Sequence, residues 1–242
     1  MPANTHFSFK KFTIHQDKTA MKVTTDACIL GAYTDVKEAK RILDIGTGTG
    51  LLALMLAQRT EAEIEGIEME EVAYNQAVEN IKGSIFKDKI EIYHADIQSF
   101  IPPLGVRGLG FGYDLIVSNP PFFQNHLKAE TQSRNNALHT DTLSFEDLLN
   151  SVIRLLSPNG IFVVLLPLYE SLVLEEMAKP LGLFANKKLN IHHREGSKIL
   201  RIITTFGFTK TKIHEEILLI KNLDESYSID FQRLMRDYYL IF

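Results

Sequence analysis

The chain has 242 residues, of which 45% are hydrophobic and 23% charged, with a net charge of −4 and a single cysteine. These proportions are those of a soluble globular protein, and they exclude collagen-like, disordered and disulfide-scaffold classes as well as a surface coated in basic residues for duplex DNA. Cys28 alone permits no internal disulfide and suits a buried thiol in the cytoplasm, no secretory signal is legible in MPANTHFSFKKF, and the longest apolar runs, Leu51 to Ala57 and Ile161 to Leu166, fall far short of the roughly 20 residues of a membrane helix.

From Arg41 onward short apolar runs alternate with longer helical patterns, the mark of βαβ units and a parallel sheet. Arg41 to Ile45 reads as a strand, followed by a glycine-rich turn and a helix from Leu51 to Arg59. Ala62 to Ile67 is the second strand, and Val72, Ala73, Ala77, Val78 and Ile81 stand at helical spacing from Glu71 to Lys82, ahead of Gly83. Lys89 to His94 is the third strand. Pro102 to Gly112 carries two prolines and four glycines and reads as a loop. Tyr113 to Ser118 is a buried fourth strand. Ser144 with Asp147 three residues on opens a helix to about Leu156, and Gly160 to Leu166 is the fifth strand. After a helix from Tyr169 to Leu181, the runs Lys187 to His193 and Lys198 to Phe208 are close enough to form an antiparallel hairpin. Glu216 to Ile220 and an amphipathic helix from Ile229 to Leu240 follow. The length predicts one domain over 1–242, with 1–40 as an addition packed on the carboxyl edge of the sheet and contributing to the cofactor or substrate site, or else a flexible lead, and 41–242 as the catalytic core.

Asp44-Ile-Gly46-Thr-Gly48-Thr-Gly50 lies between a strand and a helix, where backbone lacking side chains can approach a cofactor. A dinucleotide fingerprint would need glycine at 51, which is Leu, and a Walker loop would need a lysine after Gly50. The spacing present resembles that of the S-adenosylmethionine-dependent methyltransferases. Glu68, at the end of the second strand, suits the ribose hydroxyls, whereas Glu70 and Glu71 suit the start of the next helix. The same resemblance implies that Asp96 accepts from the adenine amine of the cofactor and that Ile97 packs on its ring. It predicts a seven-stranded Rossmann-like sheet of class I methyltransferases with a C-terminal antiparallel hairpin.

Ser118-Asn119-Pro120-Pro121-Phe122 follows the fourth strand and resembles the [DNS]-P-P-[YFW] motif of enzymes that methylate nitrogens conjugated to a planar system. Such a nitrogen is a poor nucleophile, and acceptors must hold both of its N–H groups. The Asn119 side-chain oxygen and the Pro120 carbonyl suit that role, Pro121 stiffens the loop, and Phe122 can stack on a flipped base. No general base is required, because the methylated ammonium loses its proton to water.

Four acceptor classes use this motif: adenine in DNA, guanine N2 or adenine N6 in RNA, and glutamine amides in proteins. Phe9-Lys10-Lys11-Phe12-Thr13-Ile14, Gln16-Asp17, Met21 to Ala32, Tyr227 to Phe231 and Arg236 to Leu240 are together similar to bacterial tRNA adenine N6-methyltransferases acting on adenosine 37 of a valine tRNA. Thr24, where a small residue is expected, and the long 102–112 loop depart from that pattern. The resemblance implies that Lys22, Thr25 and Asp26 lie near the methionine end of the cofactor; Asp26 equally suits an N-cap on a helix that Ala27 begins. Residues 187–212 hold seven Lys or Arg and one acid, a local charge of +6. This run, with Lys198 and Arg201 on the hairpin, and the cluster around Lys10 and Lys11, interleaved with Phe7, Phe9 and Phe12, are candidate RNA-phosphate contacts. His192 and His193 lack further ligands at metal spacing, so no metal is expected. His139, 17 residues after the Asn119 loop, suits a surface histidine better than a substrate contact. A monomer without membrane attachment is expected, and a protein glutamine methyltransferase and a scaffold that has lost catalysis are the competing readings.

Overall fold

The computed structural model describes residues 5–19, 21–103, 112–121 and 143–242. The 104–111 part of the glycine-rich loop, Phe122 and His139 therefore lie outside the described residues.

A short hairpin comes first, β1 (His6–Ser8) with β2 (Thr13–His15), then α1 (Thr25–Tyr33). The core follows as β3 (Arg41–Ile45), α2 (Leu51–Ala57), β4 (Glu63–Glu68), α3 (Glu71–Lys82), β5 (Ile90–His94), β6 (Tyr113–Ser118), α4 (Phe145–Leu155), β7 (Leu156–Leu166) and α5 (Leu168–Ala178). The chain closes with β8 (Phe184–His192), β9 (Ile199–Gly207), β10 (His214–Leu219) and α6 (Ile229–Met235). The main sheet has the order β10-β8-β9-β7-β6-β3-β4-β5, and only β9 runs against the others. The fold is that of the class I methyltransferases, with one strand more than the expected seven: β10, which pairs in parallel with β8 at the edge.

Alternation along the strands splits the core between two faces. Ile42, Leu115, Val163 and Ile203 meet α1, α2 and α6 on one side; Leu43, Ile116, Val164 and Phe206 meet α4 and α5 on the other. Every residue of α2 is buried, and each of its large apolar side chains stabilises the fold by about 1.5–3 kcal/mol. Gly31 lets α1 approach α2 closely, since a Cβ there would lie 2.7 Å from the Met55 sulfur.

Several boundaries differ from the sequence pattern for local reasons. β7 begins at Leu156, because Leu156 already pairs with Tyr113 across an irregular step. α2 stops at Ala57, and Arg59 instead donates to the Gly31 and Thr34 carbonyls at the end of α1, at 2.7 Å each. α6 stops at Met235, where the Tyr238 hydroxyl donates to the Met55 carbonyl (2.9 Å) and Gln58 donates to the Asp237 carbonyl (2.8 Å). Capping by Ser144 is as expected, its hydroxyl accepting from the Asp147 amide at 3.1 Å. At α1 the N-cap is Thr24 rather than Asp26, and this gives the unexpected threonine a physical role; its hydroxyl accepts from the Ala27 amide at 3.4 Å.

The extension is tied to the core rather than loose. Asn80 on α3 accepts from the His15 amide and donates to the His15 and Thr49 carbonyls, all at 2.9 Å. Lys10 reaches the other end of the chain, donating to the Arg236 and Phe242 carbonyls at 2.6 Å each. Cys28 is fully buried, and burial pushes its thiol up to about 12, which leaves it inert.

Candidate active site

The carboxyl ends of β3, β4, β5 and β6 open onto a cleft of about 320 Å³. The turn after β3 forms its floor. The Gly46 and Thr47 amides donate to the Ile67 carbonyl at 2.9 and 3.0 Å, which fastens the turn to the end of β4. Gly46 (φ 71°) and Gly48 (φ 58°) are left-handed with open space where a Cβ would stand, so glycine is chosen for conformation, and the bare backbone faces the cleft. Gly50 caps α2 behind the turn and does not line the cleft.

Asp44 lies beneath the floor. It is fully buried, and that burial raises its carboxyl to about 7, while the Thr47 hydroxyl (2.6 Å to Oδ2) and the Ala53 amide offset part of the cost. It braces the turn through Thr47 and does not itself line the cleft. Glu68 stands on the wall. Its Oε2 accepts from the Gly48 amide and its Oε1 from the Glu70 amide, both at 2.9 Å, which fixes the carboxylate and leaves each oxygen capacity for a further donor. Asp96 Oδ1 accepts from the Gln98 amide at 2.9 Å, and the buried Ile97 lines the cleft beside it.

Asn119 comes from the end of β6, where the Ser118 hydroxyl donates to the Ile45 carbonyl at 2.9 Å and draws this strand end against β3. Among the described residues Asn119 Oδ1 is buried without a hydrogen-bond partner, and Asn119, Pro120 and Pro121 all line the cleft. A buried acceptor left unpaired costs about 1–3 kcal/mol, and a donor entering here relieves it. An adenosyl group with a ribose fits these residues: the two carboxylate oxygens of Glu68, an acceptor at Asp96, an apolar side chain at Ile97, and a floor bare of side chains.

The cleft thus gathers Gly46, Gly48, Glu68, Asp96, Ile97, Asn119, Pro120 and Pro121. It does not include Lys22, Thr25 or Asp26. The Lys22 ammonium donates to the Gln16 and Thr19 carbonyls and so braces the extension. Thr25 lies in the first turn of α1, and Asp26 meets Arg201, with Nε to Oδ2 at 3.1 Å. Missed by sequence reasoning were Thr19 and Met21, which the extension brings to the cleft, together with Thr49, Met69 and Leu143.

The basic run is largely neutralised. Lys187 pairs with Glu216 (3.0 Å), Lys188 with Glu175 (2.5 Å) and Arg194 with Glu225 (2.6 Å), leaving Lys198, Lys210 and Lys212 without an ion pair among the described residues. Lys198 and Arg201 stand at the carboxyl edge, since Leu166 at the end of β7 registers with Ile202. Lys11 is exposed, whereas Lys10 is engaged as described. Among the described residues no three His, Cys, Asp or Glu are placed to hold a metal, and no helix is long and apolar enough to cross a membrane.

A family model described as "Methyltransferase domain" matches residues 36–207. The chain is 40% identical to a tRNA1(Val) (adenine(37)-N6)-methyltransferase of Dyadobacter fermentans over 100% of both chains. Relatives of the same name from Bacteroides fragilis (42%) and Trichodesmium erythraeum (41%) match over 97% of each chain. A structure described as a predicted O-methyltransferase from Agrobacterium tumefaciens shares the fold with a TM-score of 0.66 and 19% identity, covering 88% of this chain and 96% of that one.

Proposed function

The chain belongs to the tRNA1(Val) (adenine(37)-N6)-methyltransferase family, and from that premise we propose that it methylates N6 of adenine in tRNA, at adenosine 37 of a valine tRNA, with S-adenosylmethionine as donor. The observation that carries this reading at the site is the unpartnered, buried Asn119 Oδ1 beside the glycine turn. The other acceptors of this motif, DNA adenine, guanine N2 and glutamine amide, are not favoured by the relatives.

When bound, S-adenosylmethionine supplies a methyl carbon made electrophilic by its sulfonium sulfur. Gly46 and Gly48 give it close backbone, Glu68 accepts from the ribose hydroxyls, and Asp96 with Ile97 receives the adenine ring. Asn119 Oδ1 accepts one N–H of the target amine and the Pro120 carbonyl accepts the other. These acceptors strengthen as the nitrogen gains positive charge, so they favour the transition state over the bound amine. The buried Pro120 and its neighbour Pro121 hold the acceptors in place, and the surplus proton leaves to water. Lys11 and Lys198 supply positive charge for the tRNA backbone, while Arg201 does so only by sharing its guanidinium with Asp26.

The cleft draws on the extension as well as the core, which supports action of 1–242 as one unit, a monomer working in the cytoplasm where tRNA is found. Labelled methyl transfer to tRNA lacking the modification, to DNA and to protein, with the product nucleoside identified by mass spectrometry, tests the proposal. N6-methyladenosine at position 37 of the valine tRNA is expected; label only in DNA or protein refutes it.

A further inference from the structure

Beyond β10 the chain makes a tight return, with Lys221 bridged to Tyr227, the Asn222 amide donating to the Ser226 carbonyl (2.9 Å), and the Glu225 amide donating to the Asn222 carbonyl (3.2 Å). The residue before Ser226 in such a turn is left-handed, and glycine or asparagine is the unstrained choice. Here it is Glu225, at φ 66°, and among the described residues it is the one non-glycine with positive φ. A strained backbone occupied by a glutamate calls for an account of its carboxylate. Two cations meet it, Arg194 Nη1 at 2.6 Å and Lys221 Nζ at 3.3 Å, with the His193 ring beside them at 3.9 Å.

Arg194 and His193 belong to the β8–β9 turn, and Lys221 follows β10, its amide donating to the His193 carbonyl at 2.8 Å. All three stand beyond the carboxyl edge that carries the cleft. Three strand spacings separate β8 from β6, about 14 Å, a distance that a few nucleotides of a loop can span.

We propose that His193, Arg194 and Lys221 form a binding site for a backbone phosphate of the tRNA, and that Glu225 is its resident anion, displaced when the RNA binds. The site rests on the tRNA reading and adds to it a phosphate subsite and its competitor. About half of each Glu225, Arg194 and His193 side chain is exposed, so these ion pairs are weak and readily exchanged. A backbone phosphate offers the same groups two unbridged oxygens and one negative charge, matching the carboxylate it replaces, and its binding also releases condensed counterions, which the carboxylate does not do.

The test is binding of an unmodified valine tRNA transcript to the full chain over a series of salt concentrations. Glu225→Gln should tighten binding about three- to tenfold and steepen the salt dependence by about one ion, while the neighbouring Asp224→Asn, whose carboxylate meets Ser226 rather than a cation, should change affinity by less than about twofold. Arg194→Ala with Lys221→Ala should weaken binding and flatten the slope. Glu225→Gly relieves the left-handed strain and removes the charge, and it should tighten binding as Glu225→Gln does. If Glu225→Gln binds as the parent does or more weakly, or if only Glu225→Gly tightens, the carboxylate is not a competitor and the proposal falls. Absence of tRNA binding by the parent chain overturns the RNA reading itself.

Discussion

Arg201 Nε faces Asp26 Oδ2 at 3.1 Å, so a cation of the β8–β9 hairpin closes on the first turn of α1 instead of standing free at the rim. Both side chains are about a quarter to a third exposed, which places their coupling at about 1 kcal/mol or less. A double-mutant cycle of Asp26→Ala and Arg201→Ala, followed by chemical denaturation, should return a coupling of that size. For tRNA binding, Lys198→Ala should reduce the salt slope by about one ion and Arg201→Ala by less, because Arg201 already has an acid partner. Equal slopes in the two variants would show that the Asp26 pair opens in the complex.

Asn119→Ala removes an acceptor without touching the glycine turn. Cofactor affinity should stay within about threefold, while turnover falls on the order of 100- to 1000-fold. Single-turnover methylation together with calorimetry of cofactor binding separates the two effects. Near-parental turnover would make the Asn119 loop structural.

Glu68→Ala should act in the opposite way, weakening cofactor binding by about 1.5–3 kcal/mol for a lost charge-assisted pair. It also releases the Gly48 and Glu70 amides, so Glu68→Gln, which keeps an oxygen acceptor, should lose less. Calorimetry that shows parental affinity for Glu68→Ala would remove this residue from the site.

Asp44 gives a pH signature. Its folded-state value of about 7 lies above the ordinary 3.8, so the folded chain binds the proton more tightly than the unfolded one. Its contribution is most favourable below pH 3.8, falls as pH rises, and is lost above about 7. Asp44→Asn should therefore gain stability relative to the parent across that window, by an amount on the order of 4 kcal/mol at most, and the difference should level off above it. Denaturation midpoints of the two ligand-free proteins at several pH values measure this. A constant difference would mean that Asp44 titrates normally.

The core strands and the two motifs were legible because each rests on a local signal. Asp44 to Gly50 needs glycine for backbone geometry, and Ser118 to Pro121 follows an uninterrupted apolar strand. What escaped depends on contacts between distant segments. β1 and β2 have three residues each, too few for alternation to show, and nothing near Thr19 or Met21 announces that Asn80 will fasten the extension over the glycine turn. Charge misled for the same reason. The +6 of 187–212 is evident in the sequence, whereas the acids that neutralise it, Asp26, Glu175, Glu216 and Glu225, come from α1, α5, β10 and the final turn.

The Lys10 contacts to Arg236 and Phe242 join residues separated by 226 and 232 positions. Closing so long a loop before the sheet exists costs entropy with few local contacts in return, so these bonds form after the strands between them have paired. The extension that carries Thr19 and Met21 is therefore expected to dock late as the chain folds and to open before the central strands. Native-state hydrogen exchange should find the Gln16 and Val23 amides, bonded to the Thr5 carbonyl and the Gln16 side chain, opening at lower free energy than Leu43 and Ile116 in the central strands. A cofactor that touches Thr19 or Met21 would then slow that opening, making amide exchange in the extension a direct reading of site occupancy.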